Sequence, residues 1–380
     1  MKRIIIVIVL ALSVKISTAQ DLGAYTDYMG HFFIFDHGIS TKVEDIPVQS
    51  FDIGGECVLY INNQGQLYIY QNKKTNKLEA GGVTKYYTTD HLAAYSVFQK
   101  LKVIENGNAV TLSVNCPIFI VQDSLITFYD DNLASLRVYH NGVISDIENG
   151  LLGMPINRLD CNENIVAYVS SRTNDFKIWY NGSITTIISN ISPLFRKTVG
   201  NKIVYIGLPF RTGRDIVAYI NPLDNSFHAF YKGNDLILED SPPKSFKMGD
   251  GFVAYVSYSD DFKVFYDGNA SIISSYAPNS YATSDNMLVF DDGGYFKAYW
   301  KGQVYELESY IPVSYKMDRN SLVYLDNTNR LWLFSEGEKK YLLNDLITSF
   351  DNYRDLIIMG AKINRTIIYY KGKFYDGATL

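Results

Sequence analysis

The chain has 380 residues, 35 of them basic and 40 acidic, and a formal net charge of −5. Its positive charges are dispersed rather than clustered, which excludes nucleic acid and anionic membrane as principal partners, because phosphate binding needs concentrated Lys and Arg. Cysteine is limited to Cys57, Cys116 and Cys161, an odd number that makes no disulfide framework, and these thiols read as small buried apolar groups.

At the N-terminus, Lys2 and Arg3 precede the apolar run from Ile4 to Leu12, and Ser17, Thr18 and Ala19 supply small residues for cleavage. Residues 1–19 therefore read as a secretory signal peptide, and residues 20–380 as a single exported domain, periplasmic or extracellular. The run of 9 apolar residues is too short to span a bilayer, which takes roughly 20. The first cysteine is Cys57, so the pattern of a lipid-modified N-terminus is missing. Without residues 1–19 the balance becomes 32 basic against 40 acidic residues, −8.

Beyond the leader the sequence repeats. Phe176-Lys-Ile-Trp-Tyr-Asn-Gly182 recurs as Phe262-Lys-Val-Phe-Tyr-Asp-Gly268 and as Phe296-Lys-Ala-Tyr-Trp-Lys-Gly302. The aligned positions are Gly38, Lys73, Gly107, Gly142, Gly182, Gly233, Gly268, Gly302, Gly337 and Gly372. They are separated by 35, 34, 35, 40, 51, 35, 34, 35 and 35 residues. A unit of that size cannot bury its own apolar face and must stack on a neighbour.

Within residues 243–276 four short strands are predicted: Ser245 to Met248, Phe252 to Ser257, Phe262 to Tyr266 and Ala270 to Ser274. The second is apolar almost throughout, as are Ile165 to Val169 and Ile216 to Ile220, which predicts strands covered on both faces. Asn-Gly and Asp-Gly after the third strand predict two-residue hairpin turns, while Lys-Gly at 232, 301 and 371 predicts a turn with glycine alone in the left-handed region. The fold class is all-β: a β-propeller of four-stranded antiparallel blades, eight to ten in number, with nine the best count. The inner strands are placed near Gln49, Lys85, Ile118, Ile156, Phe195, Ser245, Ser280, Ser314 and Ser349. Phe32 to Glu44 is read as an extra strand pair that could complete the last repeat and close the ring.

Asn164 to Tyr168 with Trp179 to Gly182, and Asp250 to Tyr255 with Phe265 to Gly268, share a cadence of Asn or Asp, a Val-Ala-Tyr strand, and a strand ending before Gly. In this the repeats resemble the TolB-type propellers, shared with the N-terminal propellers of prolyl oligopeptidases and dipeptidyl peptidases. The resemblance implies fold and not activity, because those peptidases hold their serine in a separate α/β-hydrolase domain. The Pro-Asp-Gly turn of typical members is absent here.

No catalytic residue, metal ligand or cofactor is assigned, since the nucleophile elbow, the metal-binding helix, the P-loop and the EF-hand loop are all missing. The five histidines His31, His37, His91, His140 and His228 lie in different repeats and read as turn or surface residues. Asp250, Asp285 and Asp318 read as turn-bonding residues. The 51-residue step holds Pro209, Phe210, Arg211 and Arg214, read as an exposed interface loop. The leading functional expectation is a non-enzymatic propeller that docks on or plugs a bacterial envelope assembly, such as an outer-membrane export channel, through a protein partner. The alternatives are a carbohydrate- or peptide-binding propeller, and a hydrolase or lyase with a dispersed site.

Overall fold

A computed structural model describes residues 22–152, 158–191, 196–199, 202–205, 209–343, 347–353, 356–362 and 364–377. The leader reading of residues 1–19, and the inner-strand starts at Ile156 and Phe195, lie outside them. All described elements are strands. Nine antiparallel sheets have four strands, one has three, and one is a two-stranded hairpin. In the 245–274 unit the strands are Ser245–Met248, Phe252–Val256, Phe262–Tyr266 and Asn269–Ser274, each paired with the next in order. This matches the sequence expectation to within a residue.

The sheets form ten blades: 22–44, 50–79, 83–113, 118–149, 158–188, 210–239, 245–274, 281–308, 314–343 and 347–376. The best count of nine is thus corrected to ten. Leu22–Thr26, Phe32–Asp36 and Ile39–Glu44 make a sheet of their own, so the N-terminal strands are blade 1 rather than an addition to the last repeat.

The all-apolar second strands are sealed between neighbouring sheets. Ile165, Val166, Ala167 and Tyr168 are fully buried, as are their counterparts Ile216 to Ala218. Ten apolar clusters fill the ten seams between blades, including one that joins Leu356 and Ile368 of blade 10 to Phe33 and Phe35 of blade 1. Ring closure is therefore by packing of blade on blade. Cys57, Cys116 and Cys161 are buried in three of these seams, where burial pushes each thiol up to about 12.

Several seams also share a polar edge, in which a second-strand tyrosine reaches over to a carboxylate at the end of the preceding blade's outer strand: Tyr95 to Glu79 at 2.8 Å, Tyr255 to Glu239 at 2.9 Å, Tyr324 to Glu308 at 2.9 Å. The repeated lysine of the third strand meets the same carboxylate, Lys102 on Glu79 at 2.6 Å and Lys263 on Glu239 at 2.7 Å. In the seam of blades 6 and 7 the Phe-Lys and Ala-Tyr motifs are thus two halves of one inter-blade latch. The turns correct one detail: Lys232, Lys301 and Lys371 have φ of 48°, 45° and 46°, so the Lys-Gly turns are left-handed at both residues, as the Asn-Gly turns are.

Replacing Glu239 by Ala leaves the buried Tyr255 hydroxyl and Lys263 without their shared acceptor, and should destabilise the protein by about 2 kcal/mol, the scale of a hydrogen bond to a charged group. Urea unfolding midpoints of Glu239→Ala and wild type check this, with Tyr255→Phe expected to lie between them.

Candidate functional site

Strand direction sorts the connections onto two faces. On one, the turn face, lie the inner-to-second and third-to-outer turns, two to four residues long. The opposite, linker face has the second-to-third turns and the links from each outer strand to the next blade.

On the turn face, the inner-to-second turns converge at the mouth of the central channel and bring together side chains far apart in sequence. Arg319 of blade 9 meets Asp90 of blade 3, Asp123 of blade 4 at 3.5 Å and Asp285 of blade 8 at 3.7 Å. Arg214 of blade 6 donates to Glu163 of blade 5 at 2.6 Å and lies 3.1 Å from Asp250 of blade 7. Backbone links continue the belt, Gly55 N to Thr89 O at 2.9 Å and Asn286 N to Arg319 O at 3.3 Å. A Cβ on Gly213 would fall 2.1 Å from the Gly249 carbonyl oxygen, so blades 6 and 7 meet there only because residue 213 is glycine.

Five carboxylates share two guanidinium groups in this belt, and burial makes full ionisation costly. Burial and a hydrogen bond with Asp123 push the Glu163 carboxyl up to about 8 against the pull of Arg214. Burial and the Asp285 charge raise Asp250 to about 6, and burial raises Asp285 against the pull of Arg319. Asp250 and Asp285, expected as turn residues, are thus members of an ionic network that the sequence reading did not assemble. An acid–base pair needs a substrate bond between its carboxyls. Here the arginines occupy that place.

A cleft of about 1020 Å3 runs from this mouth to the rim across blades 1–4, lined by Glu56, Asp90 and His91 at the axis and by Asp36, Gln71, Glu105 and Asn141 farther out.

The linker face is different in kind. Among the described residues, 12 of the 25 exposed large apolar side chains lie in its loops, and the turns of the other face have none, although Ile39 and Val143 begin outer strands there. They include Tyr28 at 67% exposure, Phe98 at 76%, Leu152 at 77%, Leu223 at 69% and Tyr258 at 72%. Acids stand beside them, the exposed Asp224 next to Leu223 and Asp27, held by His31 at 3.0 Å, next to Tyr28. The hairpin of Arg196–Val199 and Lys202–Tyr205 is inserted between blades 5 and 6 on this side, outside the four-stranded sheets.

That hairpin is the true insertion of the 51-residue step, and the expected interface loop is corrected accordingly. Phe210–Gly213 is the inner strand of blade 6. Phe210 is fully buried, 5.0 Å from the Phe176 ring, with the Arg158 guanidinium 4.5 Å above its own ring. Pro209 is half-buried, Arg211 is exposed on the same strand, and Arg214 belongs to the channel mouth. The structure does not bring these four together as a surface.

One further constellation was unreadable from sequence. His228 lies between Ser226 Oγ at 2.7 Å and Asp235 at 3.1 Å, the connectivity of a nucleophile, base and acid. Ser226 is buried, however, and its hydroxyl is 2.5 Å from Asp224, while Asp235 also accepts from Tyr219 at 2.9 Å. The group lies within blade 6, its hydroxyl buried and already engaged by Asp224.

A family model described as a 10-bladed beta propeller domain matches residues 16–375, a span that begins inside the segment read as a leader. No curated protein sequence matches the chain. Among solved structures it is similar to the computationally designed Ika8 protein, at 13% identity over 92% of this chain and 99% of that one, with a TM-score of 0.36. It is also similar to PorZ, described as an essential surface component of the type-IX secretion system of Porphyromonas gingivalis, at 8% identity over 88% of this chain and 52% of that one, TM-score 0.32. A third is the tricorn protease, at 11% identity over 95% and 46%, TM-score 0.31. The chain spans about half the length of those last two.

The raised carboxyls of the mouth give a pH prediction. A carboxyl whose folded pKa lies above its unfolded value stabilises the fold below the unfolded value, and that contribution is lost as pH rises through the folded one. For Glu163 the window runs from about 4.3, the usual glutamate value, to about 8. Thermal midpoints should fall across this range in wild type, and the fall should be shallower in Glu163→Gln, which cannot ionise.

Proposed function

We propose, from the premise that the chain belongs to the family of 10-bladed beta propeller domains, that it is a protein-interaction propeller that docks a partner on its linker face. The observation that carries the reading is the segregation of exposed apolar side chains. A monomeric surface scatters such residues singly. Here they ring one face and are missing from the turns of the other.

The partner's chemistry follows from the residues between them. Aromatic and aliphatic side chains of the kind found at interaction hot spots are flanked by acids, which fits an apolar protein surface bordered by Lys and Arg. The inserted hairpin supports the same face, because an isolated two-stranded hairpin is marginal in water and gains from a neighbour. Insertions into repeat proteins commonly mark the binding side.

The cellular setting is the finer part of the proposal. Lys2, Arg3 and the apolar run from Ile4 to Leu12 favour export, and an exported disc with an apolar crown suits a docking or plugging subunit of an envelope assembly, such as an export channel. The mouth carboxylates, tied to Arg214 and Arg319, favour this over a hydrolase or lyase.

The test uses full-length tagged protein recovered from gently solubilised envelopes. Wild type should carry a membrane protein in constant ratio, and the pair Leu223→Asp, Tyr258→Asp should lose it by tenfold or more at unchanged thermal midpoint. Recovery of wild type as a lone monodisperse species, or retention of the partner by the double variant, would sink the docking reading. N-terminal sequencing of the recovered protein checks export separately, with Gln20 expected as the first residue.

A further inference from the structure

The residue that ends each third strand shows a break in the repeat. In blades 5–8 and 10 it is a large aromatic, Tyr180, Tyr231, Tyr266, Trp300 and Tyr370, and in blade 9 it is Ser335. Tyr180, Tyr231 and Tyr266 pack edge-on against Phe230, Phe265 and Tyr299 of the following blade, with ring centroids 6.0, 5.4 and 6.3 Å apart. They also lie against the turn glycines of that blade. These rings cover the turn face from blade 5 to blade 8.

In blades 1–3 the same position is Asp36, Gln71 and Glu105, while His140 of blade 4 keeps an edge-on contact with Trp179 of blade 5, ring centroids 6.1 Å apart. The ring–ring contact of the first and third seams becomes a phenol–carboxylate hydrogen bond, Tyr70 to Asp36 at 2.9 Å and Tyr139 to Glu105 at 2.5 Å. Each exchange forgoes aromatic burial, which is a large contribution at a seam. What replaces it is the cleft of about 1020 Å3, on the scale of a ligand pocket.

We propose that this cleft binds an extended basic peptide, its Lys or Arg side chains entering between Glu56 near the axis and Glu105 farther out. Glu105 is held by the Tyr139 hydroxyl, so it is oriented before a ligand arrives, while Asp36 is buried between Tyr70 and His37 and serves the wall. Glu56 is exposed at the axial end. Asn72, Asn106 and Asn141 recur at the turn tips of successive blades along the cleft, amides suited to the backbone of an extended chain. Lys73 is the single lysine of the lining, and the guanidinium nearest the cleft, Arg319, is engaged by Asp90, Asp123 and Asp285. The belt beyond shows the same chemistry within the chain, since its carboxylates hold the guanidinium groups of Arg214 and Arg319. The site is on the face opposite the proposed docking crown, so either reading can fail alone.

Fluorescence anisotropy with labelled hexalysine tests it, with hexaglutamate, spermine and cellohexaose as comparison probes. Wild type should bind hexalysine at low salt. The pair Glu56→Gln, Glu105→Gln should weaken binding tenfold or more, with Tyr139 still able to donate to the glutamine oxygen. Lys73→Gln should tighten it several-fold. The pair Glu336→Gln, Glu338→Gln, an equal charge change in blade 9, should leave it unchanged. Equal weakening by that control pair, or no hexalysine binding, overturns the proposal. Tighter binding of spermine than of hexalysine rules out a peptide, and preference for cellohexaose rules out the cationic chemistry.

Discussion

The structure depends on one constraint: second strands that are apolar on both faces must be covered on both faces. Val-Ala-Tyr and its relatives cannot meet water on either side, so no blade is stable alone, and a row of blades would leave two open ends. Closing the row into a ring removes both ends. The seam between Leu356 and Phe35 is as apolar as the other nine, which is why packing suffices for closure without exchange of a strand.

Packing alone would let neighbouring sheets slide, because dispersion and hydrophobic burial are weakly directional. The latch supplies direction. A buried phenol and a lysine converge on one carboxylate at the seam edge, and a buried hydroxyl without a partner is costly, so the correct blade offset is strongly preferred. In blade 6 the corresponding tyrosine, Tyr219, turns instead to Asp235 of its own blade, which His228 also meets.

Chain direction then separates the two faces. Third-to-outer connections are two-residue turns at positive φ, which hold small or polar residues and have no spare length. The links between blades have no such restriction and can expose tyrosines and leucines or accommodate a hairpin. At the channel mouth the opposite holds, since the inner turns of successive blades crowd one axis. Charges brought together there must be neutralised by each other, and two arginines serve five carboxylates. The cleft beside the mouth lies where blades 1–3 end their third strands on Asp36, Gln71 and Glu105.

The sequence by itself determined the repeat, the strands, the turns and the all-β ring, because periodicity of two, apolar runs and left-handed glycines are local properties that each unit states again. It also pointed to the 51-residue step as the place of an insertion. It placed that insertion wrongly, since Phe210 after Pro209 looks like a loop residue until its pairing with Tyr219 is known. Blade number was misjudged for a similar reason, because blade 1 has three described strands and no feature of Phe32 to Glu44 says which neighbour it joins. Only the tertiary structure decided the channel mouth, the cleft and the apolar crown. Asp90 and Arg319 are 229 positions apart in the chain, and nothing but the closure of the ring makes them neighbours.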